Sequence, residues 1–193
     1  LTRRGIDEHL EVGVGRAAQF RVVPSGVQLG RFRNRAVNAE EVRKGLGLPP
    51  KGAVIMTVGR LVPIKGYMTL VEAAPQILSG HPDAAVVFVG AGPLQNSLMG
   101  RARELGVEKH LHFAGHRLDV PDCLTAADIF VLPSLNEGMG RVLVEAMAMG
   151  KASVASRVGG IQSLIADGQN GLLVPPRDPT ALAKAVLRLL DDV

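Results

Sequence analysis

Residues 53–78 read Ala-Val-Ile-Met-Thr-Val-Gly-Arg-Leu-Val-Pro-Ile-Lys-Gly-Tyr-Met-Thr-Leu-Val-Glu-Ala-Ala-Pro-Gln-Ile-Leu. The first six, Ala53–Val58, are apolar on nearly consecutive positions instead of alternating ones. That pattern suits a strand covered on both faces, as in a parallel sheet. Gly66–Leu78 then carries apolar residues at helical spacing. Pro75 lies inside that stretch and is expected to bend or weaken it. Between strand and helix sit two cations, Arg60 and Lys65.

The same unit recurs downstream. Apolar runs at Ala84–Val89, His110–Phe113, Asp128–Leu132, Ala152–Ala155 and Gly171–Val174 alternate with helical stretches at Pro93–Leu105, Val120–Ala126, Arg141–Met149, Ile161–Ala166 and Pro179–Leu190. Alternating β and α units imply right-handed crossovers and a layered α/β domain. The expected fold is Rossmann-like, with a six-stranded parallel sheet in the order 3-2-1-4-5-6, an order inferred by analogy. In that order the first and fourth strands are neighbours, and the chain leaves their carboxyl ends in opposite directions. A ligand crevice opens there.

Upstream the pattern is looser. Residues 1–23 hold an Arg-rich, helix-like start and a short expected strand at Phe20–Val23, followed by the turn signal Pro24-Ser25-Gly26. Residues 27–50 are polar and basic, with little periodicity before Glu40–Leu46, and end in Gly47-Leu48-Pro49-Pro50. The expected division is 1–24 as the end of a preceding domain, 25–50 as linker and 51–193 as the ligand-binding domain.

Composition narrows the class. With 47% hydrophobic residues among 193, the chain is rich enough in apolar side chains to bury a core and not to be disordered. The lone Cys123 excludes a disulfide framework and a cysteine-based zinc site. No apolar run approaches the ~18 residues of a membrane span. Residue 1 is Leu and no signal-peptide pattern follows, so the natural start is expected upstream. Residues 1–60 hold 11 Lys/Arg against 5 Asp/Glu, with the excess greatest at Arg31, Arg33 and Arg35. Such a patch suits an anionic lipid or nucleic acid. One Tyr, five Phe and no Trp leave few platforms for stacking bases, so a solvated linker is favoured over nucleic-acid binding.

The residues after each strand carry the chemistry. Arg60 and Lys65 at a crevice mouth suit a phosphate, as a planar fork and a point charge. Val89-Gly90-Ala91-Gly92-Pro93 is a glycine turn opening a helix, but no third glycine follows at Gln95 or Asn96, and it comes after the second strand. A dinucleotide fingerprint belongs after the first, so NAD binding is disfavoured. Gly90 and Gly92 instead let the backbone approach a ligand or pack tightly. The fourth strand leads into Pro133-Ser134-Leu135-Asn136-Glu137-Gly138-Met139-Gly140-Arg141-Val142-Leu143-Val144-Glu145. Gly138 and Gly140 precede a helix whose first amides form an anion site. Glu137 and Glu145, with seven residues between them, suit hydroxyl-rich groups. The plainer alternatives are a helix-dipole partner for Glu137 and an exposed position for Glu145. His110 and His112, two apart on an expected strand, share a face without an evident third metal ligand, so packing or solvent is favoured over metal.

With these residues in view, the sequence resembles the donor-binding domain of family-4 glycosyltransferases of GT-B fold. The likeness rests on Val22-Val23-Pro24-Ser25-Gly26-Val27, Val58-Gly59-Arg60-Leu61 with Lys65-Gly66, Val89 to Pro93, Phe113-Ala114-Gly115-His116-Arg117, the Glu137-x7-Glu145 pair, Val158-Gly159-Gly160 and Asp167-Gly168-Gln169-Asn170-Gly171-Leu172-Leu173-Val174. It spans residues 22–190. Met139, Ala152, Gln162 and Ser163 depart from the family's common Phe, Pro, Pro and Glu.

The resemblance implies retaining transfer of a sugar from a nucleoside diphosphate sugar. Arg60 and Lys65 would hold the departing diphosphate, joined by the backbone of Gly138, Met139, Gly140, Arg141 and Val142. Glu137 would touch the donor sugar and Glu145 the ribose, while His116 and Arg117 frame the base. Gly59, Gly90 and Gly92 complete the implied donor-binding set. No Asp-x-Asp occurs in the chain, and no metal or cofactor is expected beyond the donor substrate itself. The implied partners are that donor and an N-terminal acceptor domain, of which about 23 residues would remain, with the closing C-terminal helix cut short. A cytoplasmic enzyme with peripheral contact to the inner membrane face is implied, and the piece alone is expected to bind nucleotide without transferring sugar. The competing readings are a nucleotide-sugar epimerase or phosphorylase on this fold, a non-catalytic nucleotide-binding module, and a nicotinamide-dependent dehydrogenase.

Overall fold

The computed structural model describes residues 3–23, 26–32 and 37–192. Pro24, Ser25, Arg33 and Arg35 lie outside the described residues, so the turn and the basic peak placed there do too.

Two helices precede the sheet, α1 (Arg3–Glu11) and α2 (Ala39–Gly45). The rest alternates as β1 (Val54–Val58), α3 (Tyr67–Gly80), β2 (Ala85–Val89), α4 (Gln95–Glu104), β3 (Leu111–Gly115), α5 (Val120–Thr125), β4 (Ile129–Leu132), α6 (Arg141–Ala148), β5 (Ala152–Ser156), β6 (Leu172–Val174) and α7 (Pro179–Asp191). The six strands form one parallel sheet in the order β3-β2-β1-β4-β5-β6, the order expected of this α/β, Rossmann-like class.

Every residue of β1, β2 and β4 is buried, because both sheet faces are covered. One apolar layer joins Ile55, Phe88 and Val131 to Leu70 and Ile77 of α3, Leu98 of α4 and Leu182 and Val186 of α7. The opposite layer joins Met56, Val87 and Phe130 to Cys123 and Leu124 of α5 and Leu143 and Ala146 of α6. Alternate residues of one strand thus feed opposite cores. Phe88 stacks on Phe113 at 4.9 Å between ring centres and meets Tyr67 edge-on at 5.8 Å. Helix α3 runs through Pro75 without ending there, although Pro75 brings no N–H to its ladder.

Three local expectations are corrected. Phe20–Val23 forms no strand: the Phe20 amide closes a turn onto Ala17, and Val22 and Val23 are exposed. Ile161–Ala166 is not an α-helix. A 3-10 segment covers Gly159–Ser163, and the helix-like spacing of Ile161 and Ile165 marks two buried anchors of a tight bend. His110 ends a 3-10 turn instead of sharing a strand with His112, and its Nδ1 bonds the Ala84 carbonyl at 3.1 Å. Burial and the neighbouring His110 hold the His112 imidazole below its ordinary pKa. Among the described residues no cluster of His, Cys, Asp or Glu could hold a metal.

The polar stretch before β1 is tied into the domain. Asn38 caps α2 by accepting from the Glu40 amide at 2.8 Å. Phe32 and Leu48 are buried in the α5–α6 layer. Arg43 bonds Asp128 at 2.8 Å, and the same Asp128 oxygen accepts from the Val54 amide at 2.7 Å, fixing α2 to the entry of β1. No described helix is long and apolar enough to cross a membrane.

Candidate active site

The carboxyl ends of β1 and β2 are drawn close by small residues. The Gly59 amide donates to Val89 O at 2.9 Å, and a Cβ on Gly90 would collide with the Gly59 carbonyl. Gly90 has φ +143°, a conformation that favours glycine. Gly92 serves the same packing: its Cβ would strike the Leu61 carbonyl, and it lines neither hollow described below. After Gly59 the chain turns through Pro63–Lys65 into α3. The Leu135 amide donates to Ile64 O at 2.8 Å, joining the loop after β1 to the loop after β4. Lys65 and Glu137, 72 positions apart, meet through this junction: Nζ lies 2.7 and 3.1 Å from the two carboxylate oxygens.

Glu137 is braced from below by the loop after β5. The Gly160 amide donates to Glu137 O at 2.9 Å, and Gly159 packs against the same carbonyl too closely for any Cβ. The Val158-Gly159-Gly160 motif therefore acts by holding the Glu137 backbone, a role that its spacing alone does not reveal.

Two adjoining hollows result, sharing Val58, Gly59, Arg60 and Val120. The larger, of about 560 Å³, gathers Arg60, Lys65, Glu137, Gly138, Met139, Gly140, Arg141, Val142 and Glu145. The smaller, of about 420 Å³, is walled by Val89, Gly90, Ala91, His116 and Arg117. Every site residue expected from the sequence lines one of them except Gly92. Helix α6 follows its N-cap Gly140 (φ +71°) without a side-chain cap, and Gly140, Arg141 and Val142 at its positive dipole end line the larger hollow. Among the described helices α2 and α7 carry side-chain caps, from Asn38 and Asp178, while α3, α4 and α5 lack one as α6 does.

Electrostatics differ across the hollow. Burial raises the pKa of the Glu145 carboxyl, while Arg141 and Arg31 pull it back. In the smaller hollow Arg117 is held by Asp119 in a two-pronged pair, Nε to Oδ1 at 2.8 Å and Nη2 to Oδ2. That contact pulls the Asp119 carboxyl below its ordinary value. Asp119 was not singled out from the sequence, though Arg-x-Asp before a helix is a readable signal for such a fork. Burial pushes the Cys123 thiol up, which makes it a packing group. The hydroxyls of Tyr67, Thr57 and Ser134 are buried; that of Tyr67 lies beneath Gly59 and has Thr57 as its polar side-chain neighbour.

Comparison with known proteins places this geometry. The family described as "Glycosyl transferases group 1" matches residues 52–192, and the chain belongs to that family. It is 41% identical over 167 residues to the putative teichuronic acid biosynthesis glycosyltransferase TuaC of Bacillus subtilis, covering 86% of this chain and 40% of that one. It is 35% identical over 174 residues to the UDP-Gal:alpha-D-GlcNAc-diphosphoundecaprenol alpha-1,3-galactosyltransferase of Escherichia coli, covering 89% and 45%. Among solved structures, Anabaena Alr3699/HepE in complex with UDP and glucose superposes with a TM-score of 0.87 at 30% identity, over 95% of this chain and 50% of that one. The sheet and its flanking helices thus form one GT-B-type domain. The chain spans less than half the length of the curated relatives it matches.

Proposed function

We propose that this chain is the donor-binding half of a glycosyltransferase that moves a sugar, with retention at the anomeric carbon, from a nucleoside diphosphate sugar to an acceptor. The observation that carries the proposal is the shared hollow: two cations, the open start of α6 and two carboxylates on one surface. Transfer breaks the bond between the anomeric carbon and the diphosphate oxygen, and negative charge grows on that oxygen. Arg60 and the first residues of α6 line the hollow where that charge would grow, and Lys65, paired with Glu137 in the free protein, joins them on turning to the diphosphate; donors placed there lower a barrier most. They supply the charge stabilisation for which many sugar transferases use a divalent ion.

Glu137 accepts from hydroxyls of the donor sugar and Glu145 from those of the ribose, while the smaller hollow beside His116 and Arg117 receives the base. The neighbour's bound UDP and glucose are consistent with a ligand of this class. The missing partner is an acceptor domain, and the working place is the cytoplasm with peripheral contact to the membrane. Calorimetric titration with UDP, GDP, ADP and NAD tests the core of this. One nucleoside diphosphate is expected to bind, and Arg60→Ala is expected to weaken it. Preferential binding of NAD, or no binding of any diphosphate, would overturn the reading.

A further inference from the structure

Of the three cations that line the larger hollow, Arg60, Lys65 and Arg141, only Lys65 is tied. Its Nζ spans both oxygens of Glu137, at 2.7 and 3.1 Å, and the two side chains are only 20% and 14% exposed. Arg60 and Arg141 stand exposed and, among the described residues, join no ion pair. The pair is also held from both sides. The Leu135 amide ties the loop after β4 to Ile64, next to Lys65, while the Gly160 amide and the closely packed Gly159 hold the Glu137 backbone. The Glu137 backbone therefore cannot follow a departing lysine, whereas the four-carbon stem of Lys65 lets its ammonium swing.

That geometry treats two ligands of one site differently. On the donor-binding reading, on which this inference rests, the diphosphate takes Lys65 and the sugar takes Glu137. A nucleoside diphosphate alone draws off the ammonium and leaves a shielded carboxylate with both oxygens unpaired, which is costly. A sugar nucleotide brings the replacement with it: two neighbouring hydroxyls of a hexose give one O–H to each oxygen that Lys65 releases. We propose that the Lys65–Glu137 pair is a selectivity latch, closed in the free protein, that favours the intact sugar nucleotide over the nucleoside diphosphate left after transfer. Opening the pair goes uncompensated with the spent nucleotide and is compensated with fresh donor. The difference falls mainly on the rate of departure, so spent nucleotide leaves sooner. Arg60, unpaired, holds either ligand and does not discriminate.

The experiment is Glu137→Gln in the 193-residue chain, read by calorimetry against UDP, GDP and ADP and against UDP-glucose, UDP-galactose, UDP-N-acetylglucosamine and GDP-mannose. The nucleoside diphosphate that wild type binds best is expected to bind about five- to tenfold tighter, since Lys65 no longer has a carboxylate to leave. The sugar nucleotide of the same base should gain nothing, having exchanged a charged partner for a neutral one. Arg60→Ala should weaken both alike. In a Lys65→Gln background the gain from Glu137→Gln should shrink to within about twofold, because the two residues act through one contact. Plain repulsion between the carboxylate and the diphosphate would keep the gain without Lys65, and that result would overturn the inference. Unchanged or weaker diphosphate binding in Glu137→Gln, or an equal gain for the sugar nucleotide, would overturn it too, and the donor reading would stand in each case. Should Glu137→Gln not fold, Glu137→Asp draws the carboxylate back by one methylene and should tighten the diphosphate about two- to threefold. Wild-type affinity in that variant would overturn the inference. Failure of wild type to bind any of these nucleotides would overturn the donor reading and this inference with it.

Discussion

At the scale of single residues, the site is governed by charges that compete for one another before a ligand arrives. Lys65 and Glu137 are both mostly shielded from water, so removing either strands the other. Arg60, by contrast, is exposed on the same wall. In a complete enzyme, Arg60→Ala or Lys65→Ala is expected to lower turnover by about 10²–10³, each having lost one donor to the leaving diphosphate. Only Lys65→Ala should also lower the melting temperature. Steady-state kinetics beside unfolding curves separate the two, and near-normal turnover in either variant would remove it from the machinery. Glu145 adds a pH signature. Its carboxyl pKa is raised by burial, so the folded protein holds that proton more tightly than the unfolded chain. The resulting stabilisation is full below the unfolded pKa and is lost as pH rises through the folded one, leaving Glu145 a burden at neutral pH. Glu145→Gln should therefore raise the melting temperature at pH 7, with the gap to wild type closing as the buffer is acidified through the carboxylate range, and should weaken nucleotide binding. These charged residues were legible in the sequence because cations and carboxylates beside strand ends are conspicuous against an apolar background. Their pairing was not, since Lys65 meets Glu137 only after two loops 72 positions apart are joined.

At the scale of elements, glycines with different duties stand side by side. Gly138 has open space where a Cβ would go and no positive φ, so its own backbone does not require glycine. Gly159 meets the Glu137 carbonyl and has φ +42°, so a side chain there must move the backbone that aims Glu137. Gly138→Ala is accordingly expected to leave the melting temperature unchanged while weakening nucleoside diphosphate binding about tenfold, because the added methyl projects where the anion approaches α6. Gly159→Ala should lower both. A Gly138→Ala protein that binds normally would show that the ligand keeps clear of this turn. Strand positions were readable from the sequence because burial on both faces leaves long apolar runs. The failures came where the same residue types serve another purpose. Phe20–Val23 has strand-forming side chains but no neighbouring strand to pair with. Ile161 and Ile165 have helical spacing because a tight bend plugs two holes in the core. The helix that Asn38 caps showed in the sequence as the periodicity at Glu40–Leu46, while the cap itself was not singled out among the polar residues around it.

At the scale of the whole molecule, the order β3-β2-β1-β4-β5-β6 puts the loops after β1 and β4 side by side, which gathers Arg60, Lys65 and Glu137 in the larger hollow, while the loops after β2 and β3 add Gly90, His116 and Arg117 to the smaller. On the proposed reading, what the domain builds is one wall of a reaction site. Arg60, Gly138 and Arg141 stand exposed on it. Holding two reactants in register is worth roughly 7–11 kcal/mol of a barrier, and excluding water protects an activated sugar from hydrolysis. On that reading a donor wall furnishes neither unaided. The 193-residue chain is therefore expected to bind a sugar nucleotide in calorimetry yet release nucleoside diphosphate from it, with lipid-linked or free sugar acceptors present, no faster than buffer does. A chain extended to the length of the curated relatives should restore turnover by about 10⁵ or more over that background. Coupled detection of released nucleotide in both proteins distinguishes the cases. Repeated turnover by the 193-residue chain would mean that the hollow positions donor and acceptor by itself, and that the partner wall serves some purpose other than closing the cleft.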